Sequence, residues 1–540
     1  MVVSAISLTG MNTVNVSDLN TGQQVQIYFL MVLGSPILVS ICVIYIRKRD
    51  FYHKFPDTDN SQRVPRTGIR QITASNHGIA NRRASKGHGC GLRSLLSIFK
   101  SFLETSHQSR GGTGEKEKIP SDEYEALRLL LSIIPLYLVL FQATGALILA
   151  LYMSFARPDA SLSNGINPVW LGIFLSTSSF NNVGLSLLDQ SMMSFQTSYL
   201  TLITSSILVL IGNTGFPIFL RLLLWLALKV LPESQYCEEC KRALIFILRY
   251  PRRVYTHVFP YHYTWILFGL LLFINTSEWI ALEILNKDNP ILTALPLNIR
   301  WLDGFYQTAM TRSAGFAVFS ISSLRIGIQA LYLAMMFVSA YPIIMIMRTS
   351  NVYEERSLGI YSHELSADAE STPGHDLESK RLQLQNPETI VYSIQKEIQK
   401  QLSHDVWFPI TAAIIILWIE TGSYDRDPIT FSVFNIFFET VSAYACVGLS
   451  TGLQDQPYSL SGEFHSASKL ILCAAMLRGR HRGLPVAIDR AIQLPHNALG
   501  EMQVQLDVVD GEVAGGETAI GADTEAGEGA TPSSREGKRE

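Results

Sequence analysis

Charge is scarce in this chain. Only 16% of its 540 residues are Asp, Glu, Lys or Arg, where a soluble domain carries roughly 25%. Hydrophobic residues make up 47%, and the mean hydropathy is +0.19. A basic excess is also missing, because 43 Lys and Arg stand against 46 Asp and Glu for a net charge of −3. That balance excludes a globally basic nucleic-acid binder. Cysteine is too sparse for a disulfide scaffold, with Cys42, Cys90, Cys446 and Cys473 standing singly and Cys237 and Cys240 forming one CxxC. That pair has no second ligand pair nearby, which argues against zinc or redox chemistry. No HExxH and no paired Asp fall within the apolar runs, so an intramembrane hydrolase lacks its machinery and no catalytic residue is assigned. The Gly-His-Gly-Cys-Gly stretch at 87–91 is not a phosphate loop, since no strand precedes it and no Gly-Lys-Ser/Thr follows.

What is present is apolar length. Near-continuous runs cover about 24–46, 129–155, 197–229, 262–285 and 328–347, with shorter ones near 406–421 and 466–477. The first five reach the roughly 20 residues a helix needs to cross the hydrocarbon core. Ile27–Ile46 does not read as a secretory signal, because its basic flank (Arg47, Lys48, Arg49) follows the apolar run. The expectation is an all-α, multi-pass integral membrane protein in contact with the lipid bilayer. Lys and Arg crowd the segments 47–128 and 231–261 but leave only Arg157 between 156 and 196. The positive-inside bias therefore puts the first two in the cytoplasm and the third outside. The segment 47–128 is rich in Ser, Gly and Arg and reads as mostly disordered. The segment 349–403 is polar, with an amphipathic stretch at 388–402, and the tail 506–540 is Gly-, Ala- and Glu-rich.

A repeat lies between the spans. Ser-Leu-Thr-Gly-Met (7–11), Asn-Asn-Val-Gly-Leu (181–185), Arg-Ser-Ala-Gly-Phe (312–316) and Ala-Cys-Val-Gly-Leu (445–449) share one design. A stretch rich in small and hydroxyl residues meets Gly10, Gly184, Gly315 or Gly448, and a bulky apolar residue follows. One such glycine alone reads as a helix C-cap. Four at equivalent places read as a helix, re-entrant segment, helix unit used repeatedly. Non-helical backbone at membrane depth is tolerated only when buried or lining a water-filled path. Glycine can take positive φ and turn neighbouring carbonyls toward a common axis, where they replace a cation's hydration shell.

These motifs resemble the Trk-type potassium transporters of fungi, within the wider family of bacterial Trk and Ktr subunits and plant HKT transporters. The matching text includes Met11–Val14, Phe180–Leu185, Met192–Phe195, Gly212–Pro217, Thr311–Phe316, Asn351–Arg356, Ser442–Tyr444 with Val447–Ser450, and Arg478–Pro485. The resemblance covers roughly residues 1–50 and 125–495. It implies four helix–pore–helix units around one ion path, K+ as the transported ion, no cofactor and a plasma-membrane location. In residue terms the units are 1–46, 126–230, 262–348 and 404–482. The connecting segments are 47–125, 231–261 and 349–403, and 483–540 forms a cytoplasmic tail. A homo-oligomer is compatible with the sequence, which leaves oligomeric state and any coupling ion open.

The expected filter comprises Thr9, Gly10, Val183, Gly184, Ala314, Gly315, Val447 and Gly448, binding K+ through backbone carbonyls. Glycine at position 10, where some plant relatives carry Ser, points to potassium rather than sodium. The resemblance places a pore-facing Arg at Arg480, and Lys469 lies within about 20° of it on a wheel of 100° per residue. Both are candidate pore barriers, with a tether from Arg480 to the interrupted span near Ser339–Pro342 and a cytoplasmic basic flank as the alternative. Asn275-Thr-Ser277 matches a glycosylation acceptor. Only nine residues precede Gly10, so the first unit lacks its leading helix. The expectation is a truncated form that transports poorly; a non-transporting paralogue, scaffold or receptor is the alternative.

Overall fold

Glycine and proline divide the apolar runs more finely than hydropathy shows. The computed structural model describes residues 1–54, 115–212, 215–231, 238–339, 341–344, 346–347, 405–453, 456 and 458–482. The 87–91 stretch, Cys237, the Asn351–Arg356 motif, the 388–402 stretch and the tail 506–540 lie outside the described residues, as does most of 47–128. Among the described residues every regular element is helical.

The first unit consists of a short α1 (Val2–Ile6), then α2 (Thr21–Leu33) and α3 (Pro36–Lys54). The second comprises α4 (Glu115–Phe155), α5 (Pro168–Phe180), α6 (Tyr199–Gly212) and α7 (Phe216–Val230), followed by the amphipathic α8 (Glu238–Arg249). The third comprises α9 (Tyr261–Leu285), α10 (Leu297–Thr311) and α11 (Ile326–Val338). The fourth comprises α12 (Asp405–Ile419), α13 (Val433–Ala445) and α14 (Ser466–Arg480).

Three helices are long and apolar enough to span alone: 123–155, 261–285 and 326–344. Two runs expected as single spans are broken instead. The run 24–46 bends by 53° between α2 and α3, and the run 197–229 bends by 86° between α6 and α7. Pro36 and Pro217 open the second helices, where a missing N–H is harmless at the first turn but cannot continue the preceding ladder. Counting each bent pair as one crossing gives five spans.

Burial follows the expected solvent. α9 turns Trp265, Phe268, Leu272, Phe273, Ile280 and Ile284 outward, toward lipid, and buries one stripe: Thr264, Leu267, Leu271, Asn275, Glu278 and Leu282. Steps of three and four residues keep such a stripe on one face. The chain is thus an all-α integral membrane protein. Asn275, read above as a glycan acceptor, is only 9% exposed on that inner stripe and cannot carry a glycan in this fold.

The units join pairwise in a circuit. Trp170 Nε1 donates to Gln24 Oε1 at 3.0 Å and Ser17 to Asp189, linking units one and two. Gln196 Nε2 donates to the Val318 carbonyl at 2.7 Å between units two and three. Tyr341 Oη donates to Asp405 Oδ2 at 3.3 Å between three and four. Asn12 and Ser459 exchange hydrogen bonds of 2.8–3.0 Å between four and one. A buried ion pair of 2.5 Å, Arg47 to Glu123, ties α3 to α4.

Candidate functional site

Each of α1, α5, α10 and α13 ends just before one of the repeated glycines. Residues 174–180 of α5, 306–311 of α10 and 438–444 of α13 are buried on all sides, including Ser176–Ser179, Thr308, Thr311, Thr440 and Ser442. Hydroxyls there turn back on their own helix, as Thr311 Oγ1 does to Gln307 at 2.7 Å and Thr440 Oγ1 to Ile436 at 2.8 Å. The segments after them are irregular backbone in the middle of the protein.

All four glycines have positive φ: 82° at Gly10, 87° at Gly184, 59° at Gly315 and 89° at Gly448. Their neighbours close a ring. A Cβ on Gly10 would collide with the carbonyl oxygen of Val183, and one on Gly184 with that of Ala314. A Cβ on Gly315 would collide with the oxygen of Val447, and one on Gly448 with that of Thr9. The circuit returns to its start. All eight residues expected at the site are therefore brought together, with the carbonyl before each glycine seated against the glycine of the preceding unit. Only a residue without Cβ permits that approach.

Three of the segments share a backbone lock. Leu8, Asn182 and Cys446 adopt left-handed φ of 57°, 56° and 54°. The next amide reaches five residues back, from Thr9 to Ser4, Val183 to Ser178 and Val447 to Ser442, at 2.8–3.1 Å. This is the six-to-one closure of a helix C-terminus, held here by non-glycine residues at a cost of about 1–3 kcal/mol each. The helix ends adjoining the ring carry partial negative charge. Charge of this sign at the helix ends favours a cation over an anion beside the ring.

The candidate barrier residues separate. Arg480 Nη2 donates to the Gly34 carbonyl at 2.5 Å, so it reaches the break between α2 and α3. The expected tether to Ser339–Pro342 is made nearby by a different residue: Arg482 donates to the Phe337 carbonyl at 3.3 Å and lies over the Tyr444 ring at 4.1 Å. Arg478 faces away, 4.0 Å from Asp405. Lys469 is half-buried near Met1, about 16 Å up the helix from Arg480 at 1.5 Å per residue. The helical wheel puts both on one face, but their heights differ too much for one barrier.

A second set of glycines, two of them within the motifs Gly212–Pro217 and Arg478–Pro485, packs against the pore helices in a way the sequence does not show. A Cβ on Gly34 would collide with the Ile6 carbonyl, one on Gly212 with Phe180, and one on Gly479 with Tyr444. Each of those carbonyls lies four residues before a ring glycine. The signal is a small residue followed within six positions by proline: Gly34 before Pro36, Gly212 before Pro217, Gly479 before Pro485, and Ser339 before Pro342 in the third unit. A glycine of the following helix thus sits against the end of the pore helix in three units, at a span break in units one and two.

A family model described as TrkH, cation transport protein, matches residues 96–502. The chain belongs to the TrkH cation transport family. Among relatives, potassium transporter TRK1 of Candida albicans is 38% identical over 390 residues, 71% of this chain and 35% of its own length. Potassium transport protein 1 of Schizosaccharomyces pombe is 37% identical, over 71% of this chain and 43% of its own. The low-affinity potassium transport protein of Saccharomyces cerevisiae is 37% identical, over 72% and 45%. This TrkH-family chain therefore spans less than half the length of these curated relatives. The structure of the potassium transporter TrkH from Vibrio parahaemolyticus aligns with 90% of this chain and 76% of its own, at 13% identity and a TM-score of 0.43.

Proposed function

We propose that the chain takes up K+ across the plasma membrane through the four-glycine ring. The closed circuit of carbonyls from Thr9, Val183, Ala314 and Val447 against the four glycines carries this reading. A dehydrating K+ exchanges water oxygens for those carbonyls, and the adjoining helix termini favour its charge. No ionised side chain is needed at the ring. Inward movement is driven by the membrane potential, about 2.3 kcal/mol per charge for each 100 mV. The names of the fungal relatives agree with K+ as cargo. The test is uptake of radiolabelled Rb+ by cells lacking their own potassium uptake. Surface-exposed protein without Rb+ uptake would overturn the reading in favour of a scaffold or receptor.

Arg480 acts as a brake in this reading. Its guanidinium crosses from α14 to the α2–α3 break of the neighbouring unit, and a cation about 6 Å away at an effective dielectric of roughly 20 meets about 2.8 kcal/mol of repulsion. Relieving half of that would raise the rate roughly tenfold. Arg480→Gln should therefore raise maximal Rb+ flux while leaving K+/Na+ preference unchanged, and Arg478→Gln, opposite Asp405, should change it little. Equal effects from both, or none from either, would leave only a basic flank.

A further inference from the structure

The third ring segment is held differently from the other three. Ser313 does not take the left-handed turn of Leu8, Asn182 and Cys446. The Ala314 amide closes onto Met310, four residues back, at 3.0 Å, and Gly315 has the smallest φ of the four at 59°. The backbone lock used three times is missing here. At the place where the other segments carry Ser7, Asn181 and Ala445, this one carries Arg312.

Arg312 is 4% exposed, three residues before Gly315. Its Nη1 donates a long hydrogen bond of 3.5 Å to Asn275 Oδ1 on α9, while its Nε and Nη2 have no hydrogen-bond partner. Glu278 lies one turn further along the same inner stripe of α9, fully buried, with its carboxylate close to the Thr311 hydroxyl that ends α10. The two charges lie within electrostatic reach of each other, short of a direct ion pair. An isolated charge at membrane depth is costly and faces a partner, and removing one member of a buried pair strands the other.

We propose that Arg312, Asn275 and Glu278 form a charge-balanced brace behind the third ring segment, with Arg312 positioning the Ala314 carbonyl. The inference rests on the filter reading above. The rigid guanidinium fork substitutes for the missing backbone turn, and Glu278 cancels a positive charge that would otherwise repel the ion at the ring. The third segment is then the one whose ion preference depends on side chains rather than on backbone geometry.

The test uses the full chain in cells without their own K+ uptake, with Rb+ uptake, Na+ uptake and surface protein measured together. Glu278→Gln should lower maximal Rb+ uptake per surface molecule about tenfold by stranding Arg312. Arg312→Gln should shift the Rb+/Na+ ratio toward Na+ by at least about threefold, and Arg312→Lys, which keeps charge but loses the fork, should fall between. Wild-type uptake that Gly448→Ser removes supports the filter reading by itself. Unchanged Rb+/Na+ ratios in the Arg312 and Glu278 variants, at normal uptake in the wild type, overturn the brace alone. Thermal unfolding of the purified chain in detergent gives an arm independent of transport. The double variant Arg312→Gln/Glu278→Gln should melt above at least one of the single variants, and a loss equal to the sum of the two singles would also overturn the proposal.

Discussion

Replacing Gly184 or Gly448 by serine should cut Rb+ uptake by at least about tenfold and erode K+/Na+ preference, with protein still reaching the membrane. Two effects combine at each position. The backbone sits at φ of 87° or 89°, which costs an L-residue about 1–2 kcal/mol. The added Cβ also enters the space held by the Ala314 or Thr9 oxygen. A backbone oxygen cannot rotate aside as a flexible side chain does, so the carbonyl proposed to coordinate the ion is the atom displaced. Gly452→Ser separates the two effects. Gly452 has φ of 70° but nothing within 4 Å of its Cβ position, so it carries the strain without the collision and should retain most uptake. Surface protein by external labelling and Rb+ influx decide the matter. Wild-type flux and selectivity in both Gly184→Ser and Gly448→Ser would remove the ring from the conduction path.

The ring was legible in the sequence because glycine is the residue a chain must use where backbone meets backbone, and it recurs in a recognisable frame. The repeated pattern around Gly10, Gly184, Gly315 and Gly448 survived between spans of very different sequence. Hydropathy found the long spans for the same reason that lipid-facing α9 is apolar over most of its surface. Hydropathy missed the breaks at Gly34 and Gly212, since average apolarity does not register a 53° or 86° bend. The second glycine set was hidden by its spacing, 24, 28 and 31 residues after Gly10, Gly184 and Gly448, because the outer loops between vary in length. Long-range partners were hidden more deeply. A helical wheel gives the direction of Arg480 but not its height or its neighbour: Lys469 shares its face from about 16 Å away, and the contact to the Phe337 carbonyl comes from Arg482. Asn275 shows the limit of a short motif, since the tripeptide carries no information on which face of α9 it occupies.

Units one, two and four lock their pore segments through backbone, and the proposed brace holds that of unit three through buried polar side chains, a division with a thermodynamic consequence. Left-handed turns at Leu8, Asn182 and Cys446 are local and insensitive to salt. The proposed brace of Arg312, Asn275 and Glu278 depends on buried partners that cannot be removed singly without stranding another. Substitutions of side chains that change ion preference in this chain, with the glycines kept, are therefore expected in the third segment and its α9 stripe. Sequence change at the other three is constrained by collisions between backbones.

Gly212→Ala and Gly479→Ala should fail in a different way, by losing the folded protein rather than its selectivity. Each Cβ would collide with the last turn of a pore helix, at the Phe180 carbonyl for Gly212 and the Tyr444 carbonyl for Gly479. The helix carrying the glycine must then move off the pore helix, and overpacking of this kind costs about 1–3 kcal/mol even where side chains absorb it. Here both faces are backbone, so the cost should lie at or above the upper end. At Gly479 the shift would also carry Arg480 away from Gly34, loosening the contact between units four and one. Lower melting temperature in detergent and at least about fivefold less surface protein are expected, with uptake per surface molecule still favouring K+ over Na+. Gly269→Ala on lipid-facing α9 has open space around its Cβ and should stabilise slightly, as alanine does in an exposed helix. Ser339 stands 24 residues after Gly315, the spacing Gly34 has from Gly10, and already carries a Cβ, so Ser339→Gly should be tolerated where the reverse change at Gly34 is not. If Gly212→Ala and Gly479→Ala melt like the wild type, the close approach of span break to pore helix is not what holds the ring together.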